Sequence, residues 1–573
     1  MRVSKDRVPD FTRPPVYLLM ALFSLAPLAL PGSGAHAQAS APPAAVLHYP
    51  GLVLVNAKVV TADERFSIHQ AVAIRDGKFL AVGSNDQIRA LVGPGTRVVD
   101  AGGKAVLPGL IDSHIHFLRA GFRWKWEVRV DEAQSLQDIL DAVRARTQQV
   151  PAATWVLVLG GWHWSQIKER RMPTRAELDA IAPNHPVHVQ ALYDVAQMNS
   201  AAIRASGITG ATPAPQGAVL EKDAQGNFTG VIRGFAGMRF AETKFPKPTL
   251  EDKVEGLRLV MRDFNAAGLT GVIEGVGGGV TDDDYQALFE VWRRKQMTLR
   301  VGMHFHANDH DHAQRWIRHL PAGFGDDLLR LNGMGEIVMW PLWDGATPAT
   351  FDIAQQTKAE FQMIVEAAAA KKVTIQLHAT IESSMNTILD VLEEAHRKQS
   401  LANLRFALIH GEQITPRIIE RMKRMGMGML MQDRQLMNSD RMKQVWGRRA
   451  DDIPAVKTVF QSGLPLGGGT DATIAASFRP FPSLWWLVSG KNWRGEVVRP
   501  TQKLTREEAL RVYTRGSAWF TFEEDRKGAI IPGFLGDLIM LDKDYLTVPE
   551  DEIRFLRPVM TVVGGKVVYE VKP

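Results

Sequence analysis

The 573-residue sequence contains no cysteine. Disulfide bonds and thiolate metal ligands are therefore excluded, and a metal site would have to use histidine, aspartate, glutamate or a modified lysine. The sequence also lacks a run of basic residues, and its net charge of +6 is mild for this length, so we expect no nucleic-acid partner. After the N-terminal region, no segment has the length and apolarity of a transmembrane helix.

Residues 1–37 have the pattern of a secretory signal peptide. A basic region ends at Arg13, an apolar run extends from Val16 to Leu30, and Ala35-His36-Ala37 matches a small-x-small cleavage site. The alternative is a membrane anchor, but the run is shorter than the about 20 apolar residues that a span requires. We therefore expect an exported protein, periplasmic or secreted, with no stable membrane insertion after cleavage.

Both ends of the remaining chain are rich in short apolar runs, which are typical of β-strands. An Asp-Gly pair at 76–77 and a Gly-Gly pair at 564–565 each separate two such runs and predict β-hairpins. Because each end is too small for a core of its own, we predict that residues 38–107 and 525–573 together form one β-sandwich.

Strand-like and helix-like segments alternate between these ends, which favours a parallel α/β barrel over residues 108–524. After the run that starts at Leu110, candidate strands cover 155–159, 187–192, 271–274, 299–303, 373–378, 406–410, 427–431 and 464–471. Candidate helices cover 136–150, 250–267, 357–370, 384–398, 416–425 and 506–520. Residues 160–245 have an irregular pattern that suggests an insertion over the barrel mouth.

His114 and His116 end an apolar run that follows the Pro-Gly break at 108–109. Side chains two residues apart on a strand point to the same side, so the two imidazoles project together. Such a pair is half of a zinc-type ligand set. The alternative is that the two histidines only pack.

Three more ligand-type residues follow apolar runs in the same way: His378, His410 and Asp471. Barrel enzymes place their catalytic groups at the carboxyl ends of strands. For each residue alone we favour a polar cap on a strand, but the order His-x-His, His, His, Asp is hard to obtain by chance.

The string Leu-Pro-Gly-Leu-Ile-Asp-Ser-His-Ile-His at 107–116, with the order of the later ligands, resembles the amidohydrolase superfamily. Five further motifs resemble the branch that contains N-substituted formamide deformylase. They are Gly160-Gly-Trp162, Arg171-Met-Pro-Thr174, Asn199-Ser-Ala-Ala202, Asp223-Ala-Gln-Gly-Asn-Phe-Thr-Gly230 and Gly469-Thr-Asp-Ala472. The likeness covers nearly all of residues 50–573, and it implies a (β/α)8 barrel with a flanking β-sandwich.

The resemblance also implies a function, the hydrolysis of an amide-type bond in a small molecule by metal-activated water. One or two divalent ions, with zinc as the first choice, would be held by His114, His116, His378 and His410. Asp471 would ligate or hydrogen-bond the water and transfer its proton. His410 would otherwise stabilise the oxyanion of the tetrahedral intermediate.

Two departures leave parts of this comparison open. Many relatives have a strand with a lysine that bridges two metals when carbamylated, whereas Arg330 stands at or near that position here. Glu336 either supplies the bridge or is a salt-bridged carboxylate beside the site, so the number of metal ions stays open. Asp194 stands where many relatives have a histidine.

Two groups of residues have competing interpretations. His304 and His306 have strand spacing and either reach the site from a neighbouring strand or belong to a polar loop, which we favour. A set of tryptophans either lines a pocket for an apolar substrate or packs in the core: Trp162, Trp164, Trp340, Trp343, Trp485 and Trp486.

Two other functions are compatible with the same residues. One is a deaminase or cyclic-amide hydrolase, and the other is an exported ligand-binding protein that has lost turnover. The retention of every candidate ligand argues against the second. A homo-oligomer is compatible with all of these functions.

Overall fold

The computed structural model describes residues 48–572. The predicted signal peptide and the leader that follows it lie outside the described residues. Within the described range, none of the helices combines the length and the apolarity needed to cross a bilayer.

Eight parallel strands form the central sheet, and each pairs with the next along the chain. The strands are β1 (Leu110–Ile115), β2 (Leu269–Gly275), β3 (Arg300–Phe305), β4 (Leu329–Met334), β5 (Thr374–Ala379), β6 (Ala407–His410), β7 (Gly428–Gln432) and β8 (Leu466–Gly469). Just beyond β8, the backbone N–H of Asp471 donates to His114 O at 2.9 Å, and that of His116 donates to Ala472 O at 2.8 Å. These bonds join the two ends of the sheet, so the predicted (β/α)8 barrel is confirmed.

The close approach of the last barrel strand, β8, to its neighbours requires glycine at positions 468 and 469. A Cβ atom on Gly469 would lie 2.7 Å from both Asp112 Oδ1 and the backbone nitrogen of His114, and one on Gly468 would lie 2.6 Å from the ring of Tyr513. Such distances are too short for real side chains, so glycine is needed for β8 to approach β1. The glycine run is therefore part of a strand rather than a turn.

Helices connect the barrel strands. Five of the six predicted helices are present with small shifts at their ends, and the sixth, at 506–520, begins as an α-helix and continues as a π-helix at Val512–Gly516 and a short α-helix at Ser517–Trp519. The observed helices of the barrel region are Phe117–Gly121, Leu250–Ala266, Tyr285–Arg293, His310–His319, Gln355–Lys371, Glu382–Lys398, Pro416–Arg424, Gln435–Trp446, Val456–Ser462, Pro480–Ser489 and Arg506–Arg511. Thr249 caps the helix that precedes β2, since its side chain accepts the backbone N–H of Asp252. The barrel core is one large cluster of buried apolar side chains between the strands and these helices.

The two chain ends form two further sheets. One has four strands in the order Lys78–Gly83, Ala71–Arg75, Leu52–Val55 and Arg97–Asp100. The other has six strands in the order Lys566–Glu570, Pro558–Val563, Leu538–Leu541, Ala105–Pro108, Lys58–Val60 and Ile68–His69. Both predicted hairpins are confirmed. One apolar cluster contains residues of both sheets, among them Leu54 and Val72 of the first and Val106 and Val562 of the second.

A fourth sheet, between β1 and β2 in the sequence, corrects two of our expectations. It has five strands in the order Val219–Lys222, Phe228–Arg233, Val195–Met198, Val187–Ala191 and Val156–Leu159. The candidate strands at 155–159 and 187–192 thus exist but lie outside the barrel, where they pair in parallel with each other. Residues 160–245 are also not irregular, since they contain four of these strands. Apolar runs predict strands, but they do not specify which sheet a strand joins.

Candidate metal centre

The carboxyl ends of five barrel strands bring all six candidate site residues together. Each of them is at most 7% exposed, and they are His114 and His116 at β1, Glu336 after β4, His378 on β5, His410 on β6 and Asp471 after β8. The barrel thus collects side chains that are up to 357 residues apart in the sequence. The parallel strand order explains this, because every ligand-bearing end faces the same side of the barrel.

The first group consists of His114, His116 and Glu336, whose ligand atoms are close enough to hold one ion. Oε2 of Glu336 lies 3.8 Å from Nε2 of His114 and 3.6 Å from Nε2 of His116. Asp471 approaches the same two nitrogens, with Oδ1 at 3.7 Å from His114 Nε2 and 3.0 Å from His116 Nε2.

The second group shares Glu336 with the first and adds His378 and His410. Oε1 of Glu336 contacts Nδ1 of His378 and lies 3.5 Å from Nε2 of His410. The two ring nitrogens of His378 and His410 are 2.9 Å apart. The two oxygens of Glu336 therefore face different histidine pairs, which is the arrangement of a carboxylate between two cation sites.

The buried nitrogens of this site fit a metal ion. Neither ring nitrogen of His114 has a hydrogen-bond partner, and its Nε2 is the nitrogen that lies near Glu336 and Asp471. A buried polar atom without a partner costs about 1–3 kcal/mol, so such atoms normally have a ligand. Imidazole and carboxylate are the usual ligands of zinc and related divalent ions. A metal is thus the group that this donor set suits.

In the absence of metal, the pKa values of the site histidines shift in opposite directions. Burial, helped by the nearby Arg434, lowers the pKa of His410 to about 3 and leaves its ring neutral. Burial acts in the same direction on His378, but the carboxylates of Asp344 and Glu336 outweigh it and raise its pKa to about 10. Despite burial, the nearby imidazoles of His114 and His116 hold the pKa of Asp471 well below its ordinary value.

Several residues that we did not predict position the ligands. Asp112 accepts hydrogen bonds from the backbone N–H of His114 at 3.0 Å and from Oγ1 of Thr470 at 2.7 Å, and so ties the end of β1 to the end of β8. Asp344 lies 3.1 Å from Nε2 of His378, the ring nitrogen opposite Glu336. Such outer carboxylates orient a metal-binding imidazole.

Arg434 was also missed, although it follows β7 just as the candidate ligands follow their strands. Its Nη1 lies 3.1 Å from Oε1 of Glu412, and its Nε lies 3.8 Å from Oδ2 of Asp471. Asp433 and Arg434 follow the apolar segment 427–431 after one intervening residue, Gln432, so their position at a strand end is a signal that the sequence contains.

Two of the site residues have a backbone conformation that is unusual for residues other than glycine. His410 has φ of 77° and Asp471 has φ of 61°. This left-handed region costs about 1–3 kcal/mol for such residues and is concentrated at functional sites. The barrel therefore holds both side chains in orientations that a relaxed strand end would not give.

A cavity of about 290 Å³ opens above the site. Its walls include Trp340 and Trp343 from the segment after β4, and Tyr193, Asp194 and Phe235 from the region between β1 and β2. The pocket interpretation therefore holds for two of the six tryptophans. Three of the others, Trp162, Trp485 and Trp486, are at most 1% exposed and pack in the core.

The second histidine stretch is only partly the polar loop that we expected, since His306 follows the strand but His304 does not. His304 lies on β3 and is completely buried, because the strand extends beyond its predicted end to Phe305. Burial lowers the pKa of His304 to about 3. Neither His304 nor His306 lines the cavity, and Nε2 of His306 lies 2.9 Å from Oδ1 of Asn308. Arg330, on β4, is likewise not among the cavity residues.

Comparisons with known proteins agree with this architecture. The chain is 26% identical over 547 residues to N-substituted formamide deformylase of Arthrobacter pascens, covering 91% of this chain and 98% of that protein. An uncharacterised metal-dependent hydrolase from Pyrococcus horikoshii OT3 has a similar fold, with a TM-score of 0.64, 21% identity and coverage of 87% of this chain and 99% of that chain. Atrazine chlorohydrolase TrzN from Arthrobacter aurescens TC1, in complex with zinc, has a TM-score of 0.51 at 16% identity, with coverage of 91% and 95%.

The family model of the amidohydrolase family matches residues 97–569, which is most of the chain. That range contains every strand of the barrel and all six candidate site residues. The chain therefore belongs to the amidohydrolase family and is a metal-dependent hydrolase of carbon–nitrogen bonds other than peptide bonds.

Proposed function

We propose that this protein hydrolyses the amide bond of a small N-formyl or N-acyl compound. The observation that carries the proposal is the pair of ligand groups that share Glu336 at the base of a cavity walled by Trp340 and Trp343. The similarity to a formamide deformylase over nearly the full length of both chains supports the formyl or acyl group. An apolar wall beside a polar reaction centre suits an amide with an aromatic or aliphatic substituent.

His114, His116, His378 and His410 would hold the metal with Glu336, and zinc is our first choice because of the nitrogen and oxygen donors. A divalent ion bound here supplies a nucleophile at neutral pH by lowering the pKa of a water ligand to about 7, and it polarises the substrate carbonyl. The position of Glu336 between the two histidine pairs favours two ions over one.

Asp471 would move the proton. Its Oδ1 lies 3.0 Å from His116 Nε2, so the carboxylate borders the first ligand group and faces the cavity. Water attacks the carbonyl carbon, Asp471 accepts the proton, and the proton then passes to the leaving nitrogen as the C–N bond breaks. The products are a carboxylic acid and an amine. His410, at the cavity floor, is placed either to ligate the metal or to stabilise the oxyanion.

The remaining expectations are part of the same proposal. We propose that residues 1–37 direct export to the periplasm or the exterior, and that the two sheets of the chain ends form a β-sandwich beside the barrel. The apolar cluster that contains residues of both sheets supports this sandwich. The predicted domain limits, including those of the insertion, and a homo-oligomeric state remain predictions.

A substrate panel on the zinc-loaded protein tests the reaction. The panel contains N-formyl and N-acyl amines, one cyclic amide and one aromatic amine whose exocyclic nitrogen would be released by deamination. We expect turnover of the formyl or acyl amines, detected as released primary amine, and its loss in a metal-stripped control. Ammonia from the aromatic amine alone would favour a deaminase. Ligand binding without any turnover would favour a non-catalytic protein.

A further inference from the structure

Two arginines that line the cavity have only neutral partners. Arg119, on the short helix after β1, donates from Nη2 to the hydroxyl of Tyr193 at 2.9 Å and from Nη1 to the carbonyl of Gly278 at 3.2 Å. Arg441, at the mouth, donates to Oε1 of Gln444 at 3.2 Å. Within residues 48–572, no carboxylate forms an ion pair with either guanidinium.

The other charged groups of the cavity wall lie near side chains that can form hydrogen bonds or ion pairs with them. Arg434 is paired with Glu412 at 3.1 Å. Oδ2 of Asp194 lies 3.7 Å from Nε2 of His163. Glu336 and Asp471 face the histidines and would neutralise part of the charge of the metal ions. Among the described residues, Arg119 and Arg441 are therefore the cavity arginines that have no ion pair with a carboxylate.

Burial disfavours the charged form of Arg119, but Tyr193 and the more distant carboxylates of Glu242, Asp471 and Glu336 outweigh it and raise its pKa, so the guanidinium is charged although no carboxylate is paired with it. Two of the five N–H donors of Arg119 are used by Tyr193 and Gly278, so donors remain for a ligand. A carboxylate fits this role best, since its two oxygens match the planar fork of arginine.

We infer that the substrate is an anionic amide, namely an N-formyl or N-acyl amino acid whose carboxylate is bound by Arg119. This inference rests on the proposed function and specifies its substrate class. Arg441 attracts the carboxylate at the cavity mouth. An apolar amino-acid side chain packs on Phe235 and Trp343, whose ring centroids are 5.3 Å apart, and on Trp340, which lies 5.8 Å from Trp343.

Two compounds that differ only in the carboxylate test the inference. The anionic compound is racemic N-formylphenylalanine, and the neutral one is N-(2-phenylethyl)formamide, the same molecule without the carboxyl group. Because a hydrogen-bonded charge pair is among the stronger polar interactions, we expect kcat/KM of the zinc-loaded protein to favour the anionic compound by about tenfold to a hundredfold.

Three variants test which arginine causes the preference for the anionic compound. Arg119→Gln is expected to remove most of this preference by raising KM for the anionic compound, with a smaller change for the neutral one. Arg441→Gln, which loses only its contact with Gln444, should reduce the preference a few-fold at low salt and less at high salt, because exposed charges are screened. The matched control is Arg204→Gln, an exposed arginine on the helix Ser200–Ser206 that should leave the preference unchanged.

Several outcomes would overturn the inference. One is a wild-type protein that processes the neutral compound as well as the anionic one. Another is an Arg119→Gln variant that loses both activities equally, since this would indicate that Arg119 only holds Tyr193 and Gly278 in place or stabilises the reacting carbonyl. If Arg119→Gln does not fold, the inference is still tested by the preference of the wild-type protein for the anionic compound and by the change of that preference in Arg441→Gln.

The failure of this inference can be told apart from failure of the proposed function. If neither compound is hydrolysed, the N-formyl amide assignment is contradicted. The dissociation constants of the two compounds are then measured by calorimetry on the same zinc-loaded protein. The inference requires that N-formylphenylalanine bind more tightly than the neutral compound and that Arg119→Gln remove this difference.

Discussion

Oδ1 of Asp471 lies 3.0 Å from Nε2 of His116, although 355 residues separate the two in the sequence. His116 follows β1 and Asp471 follows β8, so the contact exists only because the first and last barrel strands are neighbours. The backbone bond from Asp471 to His114 and the glycines of β8 hold this seam together. The candidate proton acceptor and the first histidine pair are thus placed by closure of the barrel.

The role of Asp471 is tested by Asp471→Asn. The amide keeps the size of the side chain but cannot accept a proton at neutral pH, and general base catalysis contributes roughly 10²–10⁴-fold. We expect kcat to fall by about that factor while KM changes far less, because the ligands and the cavity remain. Asp311→Asn, at a carboxylate that is 88% exposed, is the control. A near-normal kcat in Asp471→Asn would remove this residue from the mechanism.

Metal dependence is tested by His116→Ala. His116 is buried at the carboxyl end of β1 but follows the strand, so its loss should release metal without unfolding the barrel core. We expect elemental analysis to show less bound metal, activity to disappear and the melting temperature of the metal-free protein to stay close to that of metal-free wild type. His319→Ala, at an exposed position, should retain metal and activity. Full activity of a chelated, metal-free wild-type sample would contradict the prediction.

The number of ions is tested by Glu336→Gln. If Glu336 lies between two ions, the wild-type protein should contain about two per chain, and the variant should approach one, because a neutral amide is a poor bridge between cations. Elemental analysis after dialysis gives the ratio. About one ion per chain in both proteins would show that Glu336 does not bridge.

A buried histidine far from the site predicts how stability depends on pH. Burial on the strand Val187–Ala191 lowers the pKa of His188 from 6.5 to about 4. Between these values the unfolded chain binds a proton that the folded chain does not, so stability falls as the pH falls through this window. At pH 5 this loss is at most about 2 kcal/mol. We expect His188→Gln to lose less melting temperature than wild type between pH 7.5 and 5. An equal decrease in both proteins would contradict the prediction.

Export is tested on protein from the native host. Cleavage after Ala37 should leave a mature chain that starts near Gln38, because Ala35-His36-Ala37 matches the small-x-small pattern of signal peptidase sites. N-terminal sequencing of the active protein measures this directly. An intact terminus at Met1 would show that residues 1–37 are not removed.

Much of the barrel and the positions of its candidate site residues could be predicted from local sequence. An apolar run followed by a polar ligand identifies a strand end, and this pattern located His114, His116, His378, His410 and Asp471 without any knowledge of contacts. The hairpins at 76–77 and 564–565 were equally local, since a two-residue turn is set by its own residues. The helices could also be predicted from local sequence, because helical periodicity and capping involve residues that are close together in the sequence.

Tertiary structure decided what depends on distant partners. The strands at 156–159 and 187–191 have the composition of barrel strands, but they pair with each other and with an antiparallel extension instead. His304 looked like a loop residue until the strand was seen to continue through it. The unmatched charge of Arg119 became visible only when its neighbours, Tyr193 and Gly278, were known. Sequence by itself determined which residues stand at strand ends, because that is a property of adjacent residues, whereas sheet membership, burial and charge balance depend on contacts that only the closed fold creates.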